Sequence, residues 1–127
     1  MTTRDLKSNI DIVTSLAPAA RTATASGTGV DLRGYESAVA TFVVGTVTDG
    51  THTPSVEESD DDSTYTAVAA ADLLGSLADL TSNTVQRVGY RGGKRYIRAK
   101  IAASGTTTGA VDSAVVIRGN AVQQPLA

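Results

Sequence analysis

The sequence predicts an all-β domain, an antiparallel β-sandwich of jelly-roll-like type led in by an extended N-terminal arm. Six to eight short segments of alternating or continuous apolar character recur between clusters of Gly, Thr, Ser and Asp, which is the rhythm of short antiparallel strands and their turns. The 127 residues suit one domain with a single two-layer core. Thr, Ala, Val, Ser and Gly make up more than half the chain, beside one Phe, four Tyr and no Trp. A core built from such small side chains buries little area per residue, so partner subunits are expected to add stability.

Residues 1–20 read as the arm. Leu6, Ile10, Val13 and Leu16 fall near helical spacing, but Asn9, Thr14, Ser15 and Pro18 weaken a helix, and Ile10 with Ile12 fits an extended strand. The domain proper is expected over residues 21–119, with residues 120–127 as a C-terminal tail. Within the domain, SGTG at 26–29 marks a loop. SAVATFVV at 37–44 is apolar on both faces and predicts a central strand.

Thr53 to Glu58 and Ser63 to Ala69 predict a hairpin whose turn is Asp60-Asp61-Asp62. Leu73, Leu77 and Leu80 at i, i+4, i+7 allow a short helix or an apolar loop, with Gly75 interrupting. Thr84 to Tyr90 and Lys94 to Ala103 predict a second hairpin about Arg91-Gly92-Gly93, the glycines supplying positive φ angles. There Ile97, Ala99, Ile101 and Ala103 point inward, and Tyr96, Arg98 and Lys100 outward. Ala110 to Arg118 gives the last strand, with Val111, Val115 and Ile117 on one face.

Charge is distributed unevenly along the chain. Residues 1–86 hold four Lys or Arg against twelve Asp or Glu, and residues 87–127 hold seven against one. The acidic cluster is Glu57, Glu58, Asp60, Asp61 and Asp62; the basic cluster is Arg91, Lys94, Arg95, Arg98 and Lys100. Two arrangements follow. The clusters lie near each other in one domain or are simply solvated, or they are complementary faces that meet between subunits, where electrostatic matching sets orientation.

No catalytic set can be assembled. There is no Cys, hence no disulfide, thiolate metal site or cysteine nucleophile. His52 is the lone histidine and reads as a surface loop residue rather than a zinc ligand or general base. Asp60–Asp62 lacks the spaced ligand pattern of a calcium loop and reads as turn capping. RGGKR at 91–95 could touch phosphates, yet it has no repeat, no aromatic platform and no net positive charge behind it. SGTG and GTTTG lack the Lys and helix of a phosphate loop. The first residues do not form a signal peptide, and no apolar run has membrane-spanning length. No enzyme activity, cofactor, metal, direct nucleic-acid contact or membrane contact is expected.

The runs TATASGTGVDLRGYESAVATFVVG, TDGTHTPSVEESDDDSTYTAVAAADLLG and VGYRGGKRYIRA resemble a family of small virion structural proteins of tailed bacteriophages, in which an ESDD-turn hairpin and a G-x-KRY-x-R strand recur. The resemblance covers Asn9 to Gly119. It implies a capsid decoration (cement) protein, made in the host cytoplasm and bound to the head surface of the virion. The major capsid protein lattice would be its partner. A homo-oligomer is expected, a trimer ahead of a dimer, with Leu6, Ile10, Ile12 and Val13 anchoring to the lattice and the ten clustered charges between subunits. Two alternatives stay open: a tail, tail-tube or head-tail connector component, and a carbohydrate- or receptor-binding module using Tyr35, Tyr65, Tyr90 and Tyr96.

Overall fold

Alternation along residues 38–44 puts Ala38, Ala40, Phe42 and Val44 on one face and Val39, Thr41 and Val43 on the other, which is why this segment becomes the middle strand of a sheet. The computed structural model describes residues 6–121. Its strands are β1 (Ile10–Arg21), β2 (Ala25–Ser26), β3 (Val30–Asp31), β4 (Tyr35–Val47), β5 (Thr51–Ser59), β6 (Thr66–Ala67), β7 (Leu73–Leu74), β8 (Val85–Tyr90), β9 (Tyr96–Ser104) and β10 (Ala110–Ala121).

The strands form two antiparallel sheets. The first has the order β1-β10-β4-β8-β7, and the second β2-β9-β5-β6 with β3 also on β9. The all-β sandwich expected from the sequence is therefore the fold. Phe42, Ile97, Ile101, Val88 and Val116, each at most 1% exposed, fill the space between the sheets. Burying each such side chain is worth roughly 1.5–3 kcal/mol.

The segment expected as an arm is extended, and its residues 1–5 lie outside the described residues. From Ile10 on it is the edge strand of the first sheet, paired with β10 from Ile10↔Gly119 to Arg21↔Ala110. Bulges lie between Thr14 and Leu16 and between Leu16 and Ala19. The first makes Ser15 the extra residue, so Val13 and Leu16 both face the interior although three positions apart. That offset produced the helical-looking spacing. The second accommodates Pro18, which has no N–H for the ladder.

Ser15 is 4% exposed and ties the two sheets together. Its hydroxyl donates to the Thr28 carbonyl at 2.9 Å and accepts the Ala99 N–H at 2.9 Å, and its own carbonyl accepts the Thr28 N–H at 2.7 Å. Gly27 allows this approach, since a Cβ there would stand 2.3 Å from the Ser15 Oγ.

Two further expectations are corrected. Residues 84–90 and 94–103 do not pair with one another: β8 lies on β4 in the first sheet and β9 on β5 in the second, so Arg91-Gly92-Gly93 carries the chain between layers. Neither glycine has positive φ. Gly92 is required instead by contact, because a Cβ there would meet the Tyr90 hydroxyl at 2.5 Å. Of the two forms allowed for the leucine run, the apolar loop is the one found: a 3-10 turn at Ala70–Asp72 precedes the two-residue β7, and Gly75 at φ +105° ends the strand. Leu73 and Leu77 still pack against the core, and Leu80 is buried. Of the C-terminal tail, Asn120 and Ala121 complete β10, and residues 122–127 lie outside the described residues.

Candidate docking surface

The acidic and basic clusters come together inside one chain, as the first of the two arrangements foresaw. β5 and β9 are neighbours with Glu57 opposite Arg98. Arg98 pairs with Glu57 at 2.8 Å, and Lys100 stands 3.9 Å from the same carboxylate. Lys94 reaches Asp60 at 2.8 Å, and Arg95 grips Asp31 with two bonds of 2.9 and 2.8 Å. The guanidinium of Arg95, helped by the Arg33 N–H, holds the Asp31 carboxyl down at about 2. Lys94 is raised by its bond to Asp60, and Arg95 by its bond to Asp31. Glu57, Asp60, Lys94, Arg95, Arg98 and Lys100 thus have partners within the subunit.

The remaining cluster members are also engaged. Glu58 accepts a 2.7 Å bond from the Tyr90 hydroxyl, whose pKa is pushed up to about 12 by burial and by that carboxylate. Asp61 caps the turn, accepting the Ser63 and Thr64 N–H groups at 3.0 Å each, and these bonds lower its pKa. Asp62, at φ 58°, accepts from the Tyr65 hydroxyl. Arg91 donates to the Ala71 carbonyl at 3.1 Å.

The tyrosines belong to the same network. Arg98 covers the Tyr65 ring at 4.1 Å, Arg118 the Tyr35 ring at 4.3 Å and Arg95 the Tyr96 ring at 4.9 Å. An open cleft of about 690 Å³ runs past Tyr35 and Tyr90, with Arg33, Arg91 and Lys94 on its rim and Glu36 and Asp60 among them. Its charges are mixed in sign.

His52 was expected at the surface and is instead 1% exposed. β5 begins at Thr51, two residues before the expected Thr53, so its alternation carries His52 inward with Pro54 and Val56. Its Nε2 lies 3.1 Å from the Asp49 carbonyl oxygen, and its Nδ1 is buried without a partner. At the same end of the sandwich Asp112 is 2% exposed and meets Arg21 Nε at 2.5 Å. Burial raises the Asp112 pKa, and Arg21 opposes the rise. Asp49 closes the nearby turn by accepting the Thr107, Thr108 and Gly109 N–H groups, and those bonds lower its pKa. Among the described residues no three His, Cys, Asp or Glu side chains form a group able to hold a metal ion.

The anchoring candidates divide. Leu6 is 64% and Ile12 56% exposed, Ile10 is half-buried, and Val13 packs against the core. What the sequence reading missed is the wider surface to which Ile12 belongs. The outer face of the first sheet also exposes Val43, Val85, Val111 and Leu74 at 44–64%. The signal was present in the apolar outer positions of β4 and β10.

No protein family matches this chain, and no curated protein matches it. Among solved structures, the PBSX exported protein XepA is similar over 100% of this chain and 42% of its own, at 18% identity and a TM-score of 0.60. The SPBc2 prophage-derived protein YomS is similar over 87% of this chain and 95% of its own, at 14% identity and a TM-score of 0.51. This chain thus spans under half the length of XepA and nearly all of YomS. At these identities the likeness is one of fold.

Proposed function

We propose that this chain is a non-enzymatic virion structural protein of a tailed bacteriophage, a decoration protein that sits on the head exterior as a homo-oligomer and stabilises the capsid lattice. One observation carries the reading: the acidic and basic clusters of β5, β9 and their turns are engaged in pairs and turn caps within the subunit, while large apolar side chains are displayed at the β1 margin. A surface of that kind holds other protein surfaces and performs no proton transfer. The fold shared with two phage-derived proteins supports it. The resemblance of the three sequence runs to phage virion proteins points the same way.

In this reading Leu6, just ahead of the edge strand, is the lattice anchor, and β1 presents its main chain beside it. Removing residues 1–16 would be a poor test, because Ser15 and Leu16 belong to the interior. Leu6→Lys leaves the sheets whole. Co-sedimentation with isolated heads should show occupancy falling at least tenfold for L6K at unchanged thermal stability. Undiminished occupancy would overturn the anchor, and wild-type protein that ignores heads would overturn the decoration role in favour of the tail or connector.

A further inference from the structure

The registers of four strand pairs line up one row of side chains across the whole first sheet. Ile12 pairs with Ile117, Ile117 with Val39, Val39 with Gly89 and Gly89 with Leu74. Leu74 leans over Gly89, where a Cβ would meet its own Cβ at 3.1 Å, so the row is continuous to its end. The next row runs Thr14, Val115, Thr41, Arg87, and the one after it Ser113, Val43, Val85. Arg87 is the single charged side chain in these three rows. The outer face of the second sheet is the opposite case, carrying Glu57, Arg98 and Lys100.

We infer that the outer face of the first sheet is where a second copy of this chain packs, back to back, about a two-fold axis. The footprint is that of a small interface: the four strands β1, β10, β4 and β8 at about 4.8 Å and six residue steps at about 3.4 Å give roughly 300–400 Å² in projection, and more in accessible area, toward the roughly 800 Å² per partner of a standard stable interface. Pleated sheets pack face to face at about 10 Å with strands nearly aligned, and a face of aliphatic side chains and small hydroxyls is complementary to itself. A foreign partner held by charge would need ionic features to fix its register, and these rows offer only Arg87.

Arg87 also selects the axis. Its row is the middle one, so a two-fold running across the strands through the centre would stack the two guanidinium groups on each other. A two-fold parallel to the strands, between β10 and β4, lays β8 over the partner's β1 instead. Each Arg87 then falls beside Thr14 at the margin of the other copy. The inference stands apart from the head-binding reading, since it concerns the protein alone in solution. It replaces the trimer with a pair as the smallest unit.

The test is the native mass of the full chain at micromolar concentration by sedimentation or light scattering. Wild type should run at twice the 12.9 kDa of one chain. Val43→Glu, in the exposed apolar face, should run as a single chain with an unchanged circular dichroism spectrum, while Ala102→Glu on the second sheet's outer face should remain paired. Because the chain has no Cys, Thr14→Cys with Arg87→Cys gives an independent readout that adds no charge: a short bis-maleimide, which spans the roughly 10 Å between packed sheets where a disulfide cannot, should link the two copies covalently. A wild-type mass of one or three chains, a V43E pair, or a cysteine variant that the bis-maleimide leaves unlinked would each overturn the inference.

Discussion

β9 and β10 are consecutive strands, each central in its sheet, and they obey the same alternation rule with opposite results. β9 places Ile97, Ala99 and Ile101 inside and Arg98 and Lys100 outside. β10 places Asp112 inside among Ala110, Ala114 and Val116, and turns Val111, Val115 and Ile117 outward. A strand of the first kind needs nothing beyond its own domain. One of the second kind has a buried charge to neutralise and an apolar face to cover, and Arg21 does the first of these within the chain.

The sharpest way to break the contrast is to remove the partner of the buried charge. Arg21→Met strands Asp112, whose side chain has no exposure, and should cost roughly 3–5 kcal/mol at neutral pH, read by thermal or urea unfolding. The sign of its pH dependence follows from the raised pKa of Asp112. A carboxyl held above its unfolded value favours the fold while protonated and opposes it once pH rises through the folded value. R21M should therefore regain stability on acidification, and the double variant with Asp112→Val should recover most of the loss at pH 7. A pH-independent deficit would show that Arg21 acts by packing alone.

Next in size is the tie between the layers. Ser15→Ala leaves the buried Ala99 N–H without its acceptor and should cost about 1–3 kcal/mol. On β9 the matching removal of a charge, Arg98→Met, should cost at most about 1 kcal/mol, because its pair with Glu57 is partly solvated. If R98M proved as damaging as R21M, the distinction between the two strands would fail.

The smallest effect is in acid. Asp31 is held near 2 by Arg95, and Asp49 and Asp61 are lowered by turn N–H groups. Depressed carboxyls contribute stability that is complete above the unfolded value of 3.8 and is lost as pH falls toward the folded one. Wild-type stability should accordingly decline between about pH 4 and pH 2, and Asp31→Asn should flatten part of that decline.

Much of this fold is legible in the residues themselves. SAVATFVV declares a central strand because both its faces are apolar, YIRAKIAAS declares β9 by clean alternation, and the Asp60–Asp62 turn announces its own capping. The failures have physical causes. The segments around RGGKR alternate well enough for a hairpin, but local pattern does not say which layer the next strand joins, and β8 and β9 join different ones. The bulge at Ser15 breaks the two-residue period and disguises a strand as a weak helix. His52 and Asp112 are polar residues on inward positions, which composition assigns to the surface and only strand phase assigns to the interior. The docking face was half visible: Val111, Val115 and Ile117 share a side, yet nothing within β10 tells which side meets the core.

The place of β10 between β1 and β4 also sets the order in which the molecule can be made. Asp11 and Arg118 are ion-paired although 107 residues apart, and the strand that joins the first sheet's two halves is synthesised after the other described strands. Contacts so distant in sequence must close long loops before they are rewarded, which puts folding toward the slow, millisecond-to-second end of the range. Until residue 110 has left the ribosome, β1 has no neighbour and β4 has a bare edge, both open to pairing with other nascent chains. The yield of soluble protein should then depend on how quickly translation delivers β10.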